Sequence, residues 1–147
     1  MSDPNDSIIQ FFTQDHRACD AEWGALEGVL DGGDVSASRE GFAAFEASME
    51  RHFGWEEEVI FPALEAATGM AGMGPMAVMR AEHRQMRGLL AQMRGALEGG
   101  DTSEVLDQGD TLMMLIQQHN AKEEAMLYPM AEMRLAAEWP ALRARLK

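Results

Sequence analysis

Four histidines and two glutamates carry the chemistry open to this chain: His16, His52, His83 and His119, with Glu56 and Glu123. His52 and Glu56 are four residues apart, as are His119 and Glu123. On a helix that spacing puts both side chains on one face, a turn apart. The stretch His52-Phe-Gly-Trp-Glu-Glu-Glu-Val-Ile-Phe-Pro62 returns 67 residues later as His119-Asn-Ala-Lys-Glu-Glu-Ala-Met-Leu-Tyr-Pro129. A lone His on an apolar stripe is usually a packed core residue, and a lone His-x-x-x-Glu pair is commonplace. Four His and two Glu on apolar stripes are another matter. A buried carboxylate is costly unless paired or metal-bound, and no Lys or Arg lies on these stripes to match it. Four imidazoles and two carboxylates fit two first-row metal ions, each with two imidazoles, bridged by both carboxylates. The lack of Cys pairs excludes a thiolate zinc site. Iron is expected from the ligand types, and manganese or zinc could use the same donors.

The elements that position these groups are helices. Phe12, His16, Cys19, Trp23, Leu26 and Leu30 recur in steps of four and three, an apolar stripe on one helix face. Asp6 or Ser7 can cap that helix, and Asp31-Gly-Gly-Asp34 ends it. Phe45, Met49, His52, Glu56 and Val59 line a second helix, capped by Asp34, Ser36 or Ser38. A kink or early end is expected at Pro62, which cannot donate to the carbonyl of Glu58. Residues 66–74, rich in Gly and Met, read as a connection, and Pro75 suits the first turn of a third helix. That helix carries Met79, His83, Met86, Leu90, Met93 and Leu97. The fourth presents Leu112, Ile116, His119, Glu123 and Met126 and continues past Pro129 to about residue 138. A short basic tail follows Pro140.

A shift of 67 residues superposes the two halves without a gap. It carries Phe12 onto Met79, His16 onto His83, Leu30 onto Leu97, Asp31-Gly-Gly-Asp34 onto Glu98-Gly-Gly-Asp101, and Pro62 onto Pro129. The halves, about 12–63 and 79–130, are a duplicated helical hairpin. Within a half, about 16 residues separate His16 from the hairpin turn and about 19 lead back to His52. At ~1.5 Å per residue both histidines stand at similar height. The expected fold is all-α: an up-down-up-down antiparallel four-helix bundle with a short C-terminal extension, one domain over residues 1–147.

Composition narrows the function classes. Of the residues, 46% are hydrophobic, as in a folded domain, and β-branched types are few. A formal net charge of -13 argues against nucleic acid or an anionic membrane surface as partner, though not against cations. The single cysteine, Cys19, precludes an internal disulfide and fits a reducing compartment. With no apparent signal peptide and no run of ~18 apolar residues, the expected location is the cytoplasm.

Taken together, Asp15-His16-Arg17, His52-x-x-x-Glu56-Glu57, Glu82-His83-Arg84 and His119-x-x-x-Glu123-Glu124 resemble the hemerythrin-like, or HHE cation-binding, family over residues 15–129. Ferritin-like di-iron proteins use Glu-x-x-His instead. The resemblance implies a non-haem di-iron centre with an oxo or hydroxo bridge. His16 and His52 would bind one iron, His83 and His119 the other, and Glu56 and Glu123 would bridge. Oxygen-carrying members have one more His a turn before the third-helix ligand; this chain has Met79 there. Each iron would then keep a position open to water or a small ligand.

Three function classes follow. The first is a di-iron protein binding O2, NO or peroxide for sensing, storage or scavenging. The second is a di-iron oxidase, peroxidase or nitric-oxide-handling enzyme. The third is an iron-handling module. A binding protein is favoured over a classical enzyme. Among the other residues, Cys19 reads as core. Asp15, Glu57, Glu82 and Glu124 read equally as carboxylates orienting the histidines or as exposed ion pairs. Tyr128 reads as packing, its hydroxyl at the bundle end. Met70, Met73 and Met76, in the 66–76 connection, suggest an apolar flap and a protein-partner surface.

Overall fold

The computed structural model describes residues 6–147, and every regular element among them is helical. Helix α1 spans Ile8–Asp31 and α2 Val35–Trp55. A π-helical turn, Glu56–Ile60, joins α2 to α3, Phe61–Thr68. The second half repeats this with α4 (Pro75–Glu98), α5 (Thr102–Lys122), a π turn at Glu123–Leu127 and α6 (Tyr128–Leu135). A short α7 (Trp139–Ala144) closes the chain.

Capping follows the sequence. Ser7 Oγ accepts from the Gln10 amide, and Gln10 returns a bond to the Ser7 amide. Asp34 and its duplicate Asp101 cap α2 and α5 through the amides of Ala37 and Glu104. The hairpin turns each need a left-handed residue, supplied by Gly33 (φ 77°) and Gly100 (φ 75°).

The stripe residues of α1, α2 and α4 are all buried. Helix α1 packs on α2 and α5, and α4 packs on α5 and α2, which closes a ring of long helices. The apolar core falls into two clusters. One, around Trp23, Phe45, Leu90 and Leu112, fills the end near the hairpin turns. The other, around Phe12, Phe61, Met79 and Tyr128, fills the opposite end and includes Trp139 and Leu142 of α7. The histidines lie in the layer between.

Four expectations change. Pro62 does not bring an early end to its helix, and the fourth helical path runs past Pro129 as expected. In each half an i→i+5 bond, Phe61 N–H to Glu56 O and Tyr128 N–H to Glu123 O, widens the turn just ahead of the proline. The wider turn relieves the crowding between the proline ring and the preceding carbonyls. Within the second turn Leu127 is buried and Met126, expected in the core, is exposed, whereas in the first half Val59 and Ile60 are both buried. Met76 leaves the proposed flap: it is fully buried in the first turn of α4, while Met70 packs on the core and Met73 is exposed. The connection is clamped by a bidentate Arg80–Glu65 pair, at 2.5 and 2.9 Å, between α4 and α3. Finally, the fourth-helix path stops at Leu135 and restarts as α7.

One close approach governs how α1 meets α5. The Trp23 ring lies against Gly109, where an added Cβ would run into Cη2 and Cζ2 of the indole. Gly109→Ala raises helix propensity by ~1 kcal/mol. Overpacking at this buried contact costs ~1–3 kcal/mol, so net destabilisation is expected. Thermal denaturation followed by circular dichroism checks it; a raised midpoint would contradict the packing account.

Candidate metal centre

The site is built where the four stripes cross the layer between the two core clusters. His16, His52, His83 and His119 are all buried, and Glu56 and Glu123 are 0% exposed. Each glutamate is the first residue of its π turn, a common position for functional side chains.

Their donor atoms converge in two groups. Glu56, His83, His119 and Glu123 can each direct one donor atom to a common point, as can His16, His52 and Glu123. In the first group Nε2 of His83 lies 3.1 Å from Glu56 Oε1 and 3.2 Å from Nε2 of His119. Glu123 Oε2 lies 3.2 Å from His119 Nε2. In the second, Glu123 Oε1 is 3.0 Å from His16 Nε2. Glu123 therefore offers one oxygen to each group.

The outward nitrogens are fixed as well. His16 Nδ1 lies 2.7 Å from Glu124, His52 Nδ1 2.7 Å from Asp15, His83 Nδ1 2.6 Å from Glu57 and His119 Nδ1 2.8 Å from Glu82. With only carboxylates as acceptors there, each Nδ1 carries the proton and each Nε2 faces inward. Each of these carboxylates comes from a neighbouring element and is held by a cation: Arg17 on Glu124, Arg51 on Asp15, Arg87 on Glu57 and Lys122 on Glu82. Both sequence readings of these carboxylates are met: each holds a histidine Nδ1 and each is paired with a cation. Such outer partners are typically worth 10–100-fold in metal affinity. Glu57→Gln is thus expected to weaken binding at His83 by about 10-fold or more, measured by competition with a chelator; unchanged affinity would make the pair a surface ion pair only.

The electrostatics call for positive charge in this layer. Burial opposes a charge on His52, but Glu56 and Asp15 outweigh it and push the imidazole up to about 10. Burial likewise opposes charge on His83, yet Glu56 and Glu57 raise it to about 9. His119 is raised against its own burial by Glu123. Burial works to keep Glu56 protonated, and His52 with its neighbours draws it well below the usual carboxylate range. Without a metal, protons on the imidazoles stand in for a cation.

Two oxygens are poorly partnered, each close to one imidazole nitrogen but outside hydrogen-bond geometry. Glu56 Oε1 and Glu123 Oε2 are buried without a hydrogen bond, and both face the His83–His119 pair. An orphaned buried carboxylate oxygen is costly in a closed core. Two of them converging with two imidazole nitrogens fit a cation, and the donor set suits a first-row metal.

Tyr128 is the residue sequence reasoning misplaced. Its hydroxyl is not at the bundle end but inside the site, 2.7 Å from Glu56 Oε2 and 2.9 Å from Glu123 Oε1. It also lies 3.0 and 3.3 Å from Nε2 of His16 and His52. Burial and the two carboxylates raise its pKa well above the ordinary phenol. The ring stacks on Phe12 at 5.2 Å. In the other half Phe61 takes the equivalent place and lies over His83 at 5.8 Å without a polar atom.

Cys19 is core, as expected, but it also borders the centre. A small cavity of about 20 Å³ is lined by His16, His52, His119, Cys19, Met86 and Asn120, among others. It marks two departures from the duplication: Cys19 replaces the bulk of Met86, and Asn120 that of Phe53, which stacks on His83 at 4.2 Å. Burial pushes the Cys19 thiol up to about 12, so it borders the site as a neutral group.

No curated protein and no solved structure gives a significant match to this chain. A family model described as the Hemerythrin HHE cation binding domain matches residues 7–131, from the Ser7 cap to the fourth residue of α6. With that match over most of its length, and a buried His/Glu centre arranged to hold metal, the chain belongs to the hemerythrin HHE cation-binding family.

Proposed function

We propose that this protein is a non-haem di-iron protein that binds a small ligand, O2, NO or peroxide, for sensing, storage or scavenging in the cytoplasm. His16 and His52 hold one iron, His83 and His119 the other, and Glu56 and Glu123 bridge them. The scaffold is a single-domain up-down-up-down four-helix bundle made of two duplicated hairpins, about 12–63 and 79–130. The observation that carries this reading is the pair of orphaned oxygens, Glu56 Oε1 and Glu123 Oε2, converging with Nε2 of His83 and His119.

When bound, the metal pair supplies a redox-active centre able to take a small ligand. The chain's own residues do the rest. Asp15, Glu57, Glu82 and Glu124 keep each Nδ1 protonated, so each Nε2 remains a donor. The surrounding aromatic and aliphatic side chains exclude bulk water. The cavity beside Cys19 and Asn120 has room for about one water-sized molecule, which suits a diatomic ligand rather than an organic substrate. No helix among the described residues is long and apolar enough to cross a membrane.

The test is reconstitution with ferrous iron, exposure to air and metal analysis. About two irons per chain with near-ultraviolet and visible charge-transfer absorption is the expected result. Colourless, metal-free protein after reconstitution overturns it.

A further inference from the structure

We propose that Tyr128 is a protein ligand to the metal held by His16 and His52, so that the two metals of the centre are inequivalent. The inference rests on the metal reading above and adds a donor outside the His/Glu set.

The argument is geometric. Adjacent donors around a square-pyramidal or octahedral first-row ion, each ~2.1 Å from it, stand ~3.0 Å apart. Tyr128 Oη is 2.7, 2.9, 3.0 and 3.3 Å from Glu56 Oε2, Glu123 Oε1, His16 Nε2 and His52 Nε2. It therefore stands at the spacing of a neighbouring ligand from all three donors of the second group, His16, His52 and Glu123, and hydrogen-bonds Glu56 of the other group. A hydroxyl occupying the metal's own position is the competing interpretation. With donors about 2.9 Å from such a centre, adjacent ones would be ~4 Å apart, whatever bond length a real ion requires. His16 Nε2 and Glu123 Oε1 are 3.0 Å apart, the spacing of neighbours on one ion.

The chain holds this hydroxyl firmly. Tyr128 follows the π turn that starts at Glu123, so ligand and phenol are set by one short segment. Its ring is fully buried and stacked on Phe12. A single hydroxyl proton cannot serve both carboxylates, and the oxygen has lone pairs to give. On coordination the phenol O–H bond breaks, an oxygen–metal bond forms, and the proton leaves to solvent; no electron moves. The duplicate residue Phe61 has no such atom, so the His83–His119 metal gains no equivalent ligand. The position left for an exogenous ligand then belongs chiefly to that metal.

Tyr128 is the only tyrosine in the chain, so a phenolate signature has one source. Protein loaded with iron and oxidised to the ferric state is expected to show a visible phenolate-to-iron charge-transfer band. Resonance Raman excitation within it should reveal phenolate ring modes. Tyr128→Phe, which copies Phe61, should lose the band and ring modes from whatever iron it retains. Two irons with no phenolate modes in the wild-type protein, or modes that persist in Tyr128→Phe, overturn the ligand assignment alone. Failure of the wild-type protein to take up iron overturns the metal reading and this inference with it.

Discussion

Glu123→Ala is expected to empty both metal positions, whereas Glu56→Ala empties chiefly the one at His83 and His119. The two glutamates are duplicates in sequence but not in placement. Glu123 offers Oε1 to His16 and Oε2 to His119, and it belongs to both converging donor groups. Glu56 directs Oε1 at His83, 3.1 Å away, while its Oε2 lies against Tyr128 rather than His52. Its contact to His52 is longer, 3.6 Å. Losing a carboxylate ligand is a larger change than losing an outer carboxylate, so more than ~100-fold weaker binding is expected, about 2.7 kcal/mol or more per site. Metal analysis after reconstitution and gel filtration reads the outcome: near zero for Glu123→Ala, near one for Glu56→Ala, near two for Cys19→Ala. Two irons and an unchanged spectrum in Glu56→Ala would remove the bridging assignment.

That asymmetry shows where sequence reasoning reaches and where it stops. The histidines and glutamates were legible because they interrupt apolar stripes at helical spacing, and because a shift of 67 residues superposes them. The cap at Asp34 is one of three candidates in the sequence, and the same shift carries it onto Asp101, which caps α5. The π turns were not, because a proline after Glu56 or Glu123 signals only that the helix must adapt. An early end, a kink and a widened turn all satisfy that signal. Two readings at the second turn differ from the structure: the core takes Leu127 rather than Met126, and the Tyr128 hydroxyl lies in the site rather than at the bundle end. The signal available was the proline at the same offset from both glutamates, a duplicated constraint at a duplicated ligand. The four cations behind the outer carboxylates were equally hidden. Arg17 and Arg87 do not occupy equivalent places in the two halves, so the repeat conceals a pattern that exists only in three dimensions.

Metal removal should reverse the sign of the pH dependence of stability. In the metal-free protein His52 and His83 are raised to about 10 and about 9, against 6.5 when unfolded. Between these limits the folded state binds more protons, so this contribution is complete below pH 6.5 and is lost as pH rises through 9 to 10. The Glu56 and Glu57 carboxylates act oppositely. Both are lowered in the folded state, Glu57 to about 2, so their contribution is present above pH 4.5 and is lost on further acidification. Metal-free protein is therefore most stable at mildly acidic pH. Metal binding needs each Nε2 free of its proton, so loaded protein loses metal and stability as pH falls through the histidine range. At free metal ~1,000 times Kd the stabilisation is ~4 kcal/mol, which for a chain of this size raises Tm by roughly 8–16 °C. Melting curves of both forms from pH 5 to 10 read the result: metal-free Tm falling above pH 6.5, and a gap to the loaded form that widens with pH. Parallel curves would mean that the imidazoles are not the groups exchanging protons for metal.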